Sequence, residues 1–589
     1  MRKRLLTLSL IFFLASCGGG STSAVTSSSM EPSKETSSAE PSSEAPKTSE
    51  ESKPEPSSEP EPEPSSEPEP SSESSAGVEG IQLTEPSSLD DFAEYVGADD
   101  CGASYEIFVY SFADSDGDGI GDLKGIEQHL DYLQELGIKN IWLTPVHPSS
   151  TYHKYNVADY YDIDPAFGTV DDFTSLCNQA KGRGMRIIMD MVFNHSSRAN
   201  PFFIQAAEDF ANDYDGDGSF ADLYVFGKTA KEVPNTSARY KTSSGQYIYY
   251  ECNFDSDMPE FNLDSPSTRA LYRDIMQFWI EQGAGGFRFD GVYYFYYAKQ
   301  RKNMEYVSYL AETAKELKSD IYTIGELMQN SQATLNAMAK AGMNAFNFAT
   351  STATATGSAV FASRAKQGFD YAEAVEKAVK GFLNNSEGQL MPSIFLSNHD
   401  MDRWVSTFEE DRYSSIANMY LLTPGTPWLY YGEEIMMHGY RATAQTDANR
   451  RLPMQWRNNG TSDPARCAPT PGNDYRGEQT EYGALDAIKQ EGSVTENYKA
   501  TLAFRDATPA VRKGIYRSVT PEEAPICAFN ITYAGETSYL IHNISSEPVD
   551  VVLPVGFGIG TSLGLGESVI QGGKLVIPGY SCVYLTMVN

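Results

Sequence analysis

The sequence predicts an α/β protein: a (β/α)8 TIM barrel with a subdomain inserted after the third strand and a C-terminal antiparallel β-sandwich domain. Three observations carry this expectation. From Tyr105 onward, eight apolar runs alternate with helical patterns: EIFVYSF at 106, IKNIWLTPV at 138, RIIMDMV at 186, GFRFDGV at 286, IYTIGEL at 321, NAFNF at 344, SIFLSN at 393 and TPWLYYGEE at 426. Four segments run apolar residues straight into a carboxylate, at Asp190, Asp290, Glu326 and Asp400. Buried parallel strands read this way when their carboxyl ends open into a site. After about residue 505 the pattern shifts to short β runs such as APICAFNITYAG, TSYLIHNIS and KLVIPGYSCVYLTMV, separated by Gly-rich turns. The βα alternation favours a closed barrel over a doubly wound sheet, the lesser alternative.

Taken in order, residues 1–17 show a basic start, an apolar stretch from Leu5 to Ala15 and small residues before Cys17. The stretch is too short to span a bilayer and reads as an export signal. Leu14-Ala15-Ser16-Cys17 resembles a bacterial lipobox, which implies lipidation of Cys17 after cleavage; an ordinary signal peptide with an incidental Cys is the plainer reading. Residues 18–78 are nearly all Ser, Pro, Glu, Gly and Thr and cannot supply a core. Pro and like-charged Glu extend such a chain to at most on the order of 180 Å, so the segment reads as a disordered tether. Together these predict an exported protein held by lipid at the cell surface, on a cell membrane or an outer membrane.

The formal net charge of -35 overstates the acidity of the folded part, because residues 21–76 hold 13 Glu against 3 Lys. The remainder is still acidic, which disfavours nucleic acid as a partner and suits a neutral substrate. Seven Cys show no CxxC spacing, so zinc and thioredoxin readings are weak and no disulfide pairing is assigned. The catalytic barrel is expected over 79–194 and 263–504. The gap between the third and fourth strands, with YDGDGSFADLY, GQYIYYECNF and DSDMPEFNLDSP, is too long for one helix and predicts the inserted subdomain at 195–262. The β domain then occupies 505–589.

Four carboxylates arriving at the ends of different strands converge in space, and paired acids in unlike environments suit acetal hydrolysis. The four segments, in order and with the long insertion, resemble the ordered motifs of the α-amylase family, glycoside hydrolase family 13. The resemblance spans roughly residues 100–589. It implies Asp290 as the nucleophile, Glu326 as general acid and then base, and Asp400 as the carboxylate that holds the distorted sugar by its hydroxyls. A retaining reaction then calls for Asp290 and Glu326 carboxyl groups about 5–5.5 Å apart. Arg288 lies two residues before Asp290 and points to the same barrel face, where it can keep that carboxylate ionised. The resemblance makes His195 and His399 sugar contacts and Tyr155 an aromatic platform, although the usual Gly-Tyr-Asp is here Lys154-Tyr155-Asn156. Asp190 more plausibly orients Arg288 than touches substrate.

Past Asp290 the family often carries Ala-x-Lys-His, whereas this chain has Gly291-Val292-Tyr293-Tyr294-Phe295-Tyr296-Tyr297. For Tyr293 and Tyr294, stacking in place of charged hydrogen bonds and a simple aromatic start to a buried helix are equally open, while Phe295 to Tyr297 are expected to begin that helix. MPEFN at 258–262 resembles a motif of the branch intermediate between oligo-1,6-glucosidases and neopullulanases, and DANRRLPMQW at 447–456 places Arg451 near the cleavage site. Asp114, Asp116, Asp118 and Asp122 with the Ile120 carbonyl set oxygens on alternate residues of a Gly-rich loop, which resembles the family's loop calcium site and implies Ca2+. Asp213-Tyr-Asp215-Gly-Asp217 reads as an acidic turn. The expected activity is endo-acting hydrolysis of α-1,4 bonds in starch, glycogen or maltooligosaccharides, with no obligate protein partner. A glucanotransferase, an α-glucosidase or neopullulanase-type enzyme and a non-catalytic glycan-binding lipoprotein are the alternatives.

Overall fold

The structure, a computed structural model, describes residues 80–588 except 217, 298, 329–330, 352–366, 442–446 and 459. The expected export signal, Cys17, the expected tether and Asp217 therefore lie outside the described residues.

All eight expected strands form. In chain order they are Ser104–Ile107, Asn140–Leu143, Arg186–Met191, Gly286–Phe289, Tyr322–Gly325, Asn344–Ala345, Ser393–Phe395 and Thr426–Tyr430. Every neighbouring pair is parallel, in the order seventh, eighth, first to sixth, and a parallel bridge between Phe346 and Ser393 closes the circle. Side chains on both faces are buried, which is why the runs are predominantly apolar on both faces instead of alternating. Trp142, Ile188, Tyr322, Ile324, Phe346, Phe395 and Trp428 share one core cluster. Flanking helices carry period-3.6 faces. Pro266–Glu281 starts at Ser265, whose hydroxyl accepts the Ser267 and Thr268 N–H groups, and buries Leu271, Tyr272, Ile275, Met276 and Trp279.

Register positions the chemistry. Asp190 pairs with Arg288 across the third and fourth strands, and Phe289 with Gly325 across the fourth and fifth. Asp290 and Glu326, each one residue past its strand, are drawn together by the Asp290 N–H on the Met191 carbonyl at 3.1 Å and the Glu326 N–H on the Phe289 carbonyl at 2.9 Å.

Between the third and fourth strands, the helix Pro201–Ala211 packs against a three-stranded antiparallel sheet made by 226–227, 237–241 and 247–251, sharing a core of Ala207, Ala211 and Ile248. The C-terminal β domain pairs a five-stranded with a three-stranded sheet around Ile526, Ile541, Val551, Leu575, Ile577 and Val583. Its edges depart from the sequence expectation. Helices Val494–Ala507 and Pro509–Lys513 carry the chain across residue 505, and the first strand starts at Ile515. Ile81, expected with the barrel, instead adds to this domain, its N–H on Asp550 O at 2.8 Å and its carbonyl on Val552 N–H at 2.9 Å. An open strand edge takes up an apolar segment in this way, whatever its sequence position. The six described Cys are free and buried, and no described helix is long and apolar enough to cross a membrane.

Candidate active site

Arg288 is the hub. Its guanidinium is 1% exposed and its Nη1 donates to Asp190 at 2.8 and 2.9 Å and to Asp290 at 2.7 Å, while Nη2 pairs with Glu326 at 2.9 Å. It also lies over the Trp142 ring at 4.8 Å, and that indole donates to Asp190 at 3.1 Å. A planar fork suits this because two nitrogens reach separate carboxylates with fixed geometry. Burial opposes the charge of Arg288, but Asp190, Glu326 and Asp290 outweigh it and keep the group protonated. Burial lifts the Glu326 carboxyl to about 7, Arg288 opposing and the charges of Asp290 and Asp400 adding to the rise. Replacing Arg288 with Met is expected to strand three buried carboxylates and cost about 3–5 kcal/mol of stability. Urea denaturation measures that loss, and a change below about 1 kcal/mol would contradict the hub.

A second network holds Asp400. Arg451 Nη2 donates to its Oδ1 at 2.7 Å and Arg451 Nε to the His399 carbonyl at 3.0 Å. His399 lies 3.2 Å from the other Asp400 oxygen through Nε2 and 2.5 Å from Glu106 through Nδ1. Burial opposes charge on His399, yet Asp400 and Glu106 prevail and raise its pKa. Burial would raise the Asp400 carboxyl, but His399, Arg451 and Arg288 together hold it down at about 2. The two acids are thus pushed apart, Glu326 toward the protonated form and Asp400 toward the anion.

Tyr155 joins both networks. Its hydroxyl donates to Asp190 at 3.2 Å and meets His399 Nε2 at 2.8 Å, and its ring stacks on His399 with planes 10° apart. The Lys-Tyr-Asn departure is accommodated: Lys154 takes φ +64°, a conformation that favours glycine, and its ammonium is buried on Asp164 at 2.6 Å. These groups border a cleft of about 780 Å3 lined by Tyr155, His195, Asp290, Glu326, Asp400 and Arg451, among others.

The remaining expected contacts divide. His195 lines the cleft, its Nε2 buried without a partner. His399 and Arg288 do not line it; their polar atoms face the carboxylates, so both position those groups from behind. Tyr294 lines the cleft and packs edge-on against Phe254 at 5.1 Å, whereas Tyr293 is not among the lining residues and packs on Tyr294. Residues 291–297 form turns and the helix starts only at Gln300; Asn303 on its first turn accepts the Tyr296 N–H and donates to the Tyr293 carbonyl, tying the turns to the helix. The helical start considered for these aromatics is therefore corrected.

Several site residues escaped the sequence reading. Glu106 was readable as a carboxylate opening an otherwise apolar strand. Phe254, 46% exposed at the cleft, sits in an irregular segment, and Asp447, which accepts from Arg450 at 2.7 Å, opens a single 3-10 turn over Asp447–Arg450; neither stretch has a periodicity that would mark it.

In the loop after the first strand, Asp114, Asp116 and Asp122 each bring a carboxylate oxygen within 4.8 Å of the others. Gly117 and Gly119, at φ +87° and +90°, make the turns that close the loop. Asp122 also caps the helix Leu123–Gln128 through the Gly125 N–H. Asp118 stands outside this trio, exposed, its carboxylate accepting the Ile120 N–H at 2.7 Å. An all-oxygen set of clustered carboxylates fits a hard cation such as Ca2+.

The chain matches the model of the alpha amylase catalytic domain over residues 106–514. It is 33% identical over 446 residues to Alpha-amylase 3 of Dictyoglomus thermophilum, covering 75% of this chain and 84% of that protein. An oligo-1,6-glucosidase of Parageobacillus thermoglucosidasius is 27% identical over 529 residues, covering 76% and 91%. Among solved structures, Eubacterium rectale Amy13B superposes with a TM-score of 0.75 at 31% identity, covering 86% of this chain and all of that one. With the barrel, the Arg288-centred carboxylates and a family match over most of its length, the chain belongs to the α-amylase family, glycoside hydrolase family 13.

Proposed function

We propose that the protein is a retaining, endo-acting α-amylase that hydrolyses α-1,4 bonds of starch, glycogen or maltooligosaccharides. The observation that carries this is the single guanidinium joining Asp290 and Glu326, which supports the close pairing a double displacement needs. In this reading Glu326, held protonated by burial, gives its proton to the leaving oxygen as Asp290 attacks the anomeric carbon. Water, deprotonated by Glu326, then releases the sugar from Asp290. Asp400, anionic and fixed by Arg451, accepts hydrogen bonds from the hydroxyls of the distorted ring, and Tyr155 and His195 contact the same unit. Arg451 and Tyr294 border the rest of the bound chain.

A product profile on maltoheptaose, amylose and pullulan tests the reading. Shorter maltooligosaccharides only, with pullulan left intact, are expected. Products longer than maltoheptaose would favour transfer, release of glucose alone an α-glucosidase, and no reducing sugar a glycan-binding protein. The likeness to an oligo-1,6-glucosidase makes isomaltotriose a useful further substrate.

Asp114, Asp116 and Asp122 would hold Ca2+, with Asp118 and the Ile120 carbonyl as further candidate oxygens from the same loop. A bound Ca2+ neutralises the repulsion of these carboxylates and so stabilises the loop. Chelation is expected to lower the unfolding temperature, with calcium at a hundredfold over its Kd contributing about 2.7 kcal/mol. Asp114→Asn should abolish that calcium dependence; an unfolding curve indifferent to both would count against the site. We also propose that Cys17 is lipidated and that the Ser/Pro/Glu tether holds the enzyme at the bacterial surface, on the strength of the lipobox alone.

A further inference from the structure

The first barrel strand, Ser104–Ile107, carries a carboxylate at its third position, and Glu106 is only 2% exposed. Burying a carboxylate is costly unless a cation or strong donors meet it. Among the described residues the ion-pair partner of Glu106 is His399 alone, through Nδ1 at 2.5 Å. The same oxygen, Oε1, also accepts the His399 backbone N–H at 3.3 Å. Two contacts to one residue fix the imidazole in place, and Phe108 and Tyr155 stack on its ring with centroids 6.2 and 5.7 Å away.

The partners of that ring dictate where its protons lie. Nδ1 faces a carboxylate oxygen, which accepts, so Nδ1 carries a hydrogen. Nε2 faces Asp400 Oδ2 at 3.2 Å and the Tyr155 oxygen at 2.8 Å. The Tyr155 hydroxyl gives its own hydrogen to Asp190 at 3.2 Å, which leaves its oxygen an acceptor toward Nε2. A lone pair on Nε2 would thus point at two acceptors, one of them anionic. Both nitrogens are donors, and a ring with two N–H groups is the imidazolium.

The surrounding charges agree. Glu106 on the first strand, Tyr155 and His153 after the second, Asp190 on the third, Glu326 past the fifth and Asp400 beside it all act on the ring. Arg288 on the fourth strand is engaged by Asp190, and Arg451, after the eighth, by Asp400 Oδ1 at 2.7 Å. Burial and Arg451 disfavour the cation, but Asp400 and Glu106 outweigh them.

We propose that Glu106 is a positioning residue of the reaction, holding His399 as a permanent imidazolium whose Nε2–H grips the Asp400 oxygen that Arg451 leaves free. The proposal rests on the reading of Asp400 as the carboxylate that holds the distorted sugar. Asp400 then meets substrate with both oxygens oriented by cations, one from each side of the chain's fold: Arg451 directly and His399 by way of the first strand. Without the charge of Glu106, the buried ring gives up one N–H and Oδ2 loses its grip. A merely structural Glu106 would be an acceptor that a Gln replaces at no cost to chemistry.

Nitrogen-15 NMR of ring-labelled histidine, followed against pH, tests this independently of activity. The His399 signals, assigned by their absence from His399→Asn, should show two protonated nitrogens at pH 7 in the wild type. In Glu106→Gln, whose Oε1 still accepts from Nδ1–H, the ring should lose its proton at a lower pH. Its kcat on maltoheptaose should fall about 10–100-fold at pH 7 with KM little changed, the loss of one hydrogen bond to a charged group. The basic limb of its pH profile should move below that of the wild type, because His399 now loses its proton before Glu326. Glu106→Asp, which keeps the charge, should recover part of both. A neutral His399 in the wild type at pH 7, an unmoved titration in Glu106→Gln, or equal behaviour of the Gln and Asp variants would overturn the proposal. Failure of the α-amylase reading is seen separately, as no reducing sugar released by the wild type.

Discussion

Asp290→Asn should lower kcat on maltoheptaose by on the order of 10^4-fold or more while leaving the fold intact, because under the proposed mechanism the variant lacks the oxygen that forms the glycosyl bond. The fold should survive because Asn still offers Arg288 an acceptor at the 2.7 Å position, and that guanidinium keeps its contacts with Asp190 and Glu326. A second consequence sharpens the test. The charge of Asp290 is one of the causes that raise the Glu326 carboxyl, so its removal should move Glu326 downward from about 7. Carbon-13 NMR of labelled Glu in the variant reads that shift. Activity persisting at wild-type level in Asp290→Asn would mean that another carboxylate attacks.

Glu326→Gln is the second large effect. General acid–base catalysis contributes about 10^2–10^4-fold, and the loss should approach the upper end for a glucose leaving group, which needs the proton. An aryl glycoside with an acidic phenol needs little protonation, so bond cleavage there should suffer far less. The pH profile carries the sign. A carboxyl raised to about 7 is protonated below that pH and loses its proton above it, so wild-type kcat/KM should fall as pH rises through about 7. Asp400, held at about 2, stays anionic across the working range and sets no limb there. The basic limb should vanish in Glu326→Gln. An unchanged limb would assign it to a different group.

Much of this site was legible in the sequence because parallel strands impose their own grammar. A strand buried on both faces is mostly apolar, so Asp190 near the end of the third strand, Asp290 and Glu326 just past the fourth and fifth, and Asp400 beyond the seventh stood out as acids where apolar runs break off. Arg288 followed from the two-residue repeat that puts it on the face of Asp290. What lay beyond reach was the division between touching substrate and holding a group that does. His399 reads like a sugar ligand, yet both of its ring nitrogens are engaged by Glu106, Tyr155 and Asp400, contacts with residues 293, 244 and one position away. Lys154 is equally silent in the sequence: its left-handed backbone and the burial of its ammonium on Asp164, ten residues on, show only in the fold. Fold boundaries failed for a related reason: Ile81 belongs to the C-terminal sheet through hydrogen bonds to residues 550 and 552, and no local pattern announces such a pairing.

The central claim is that Asp290 and Glu326 act as nucleophile and acid/base in a double displacement. Proton NMR of maltoheptaose hydrolysis at early times tests it most directly, since the anomeric signal of the new reducing end is recorded before mutarotation. The α-anomer should appear first and the β-anomer should grow in slowly. Initial release of the β-anomer would show inversion by a single displacement and contradict the account.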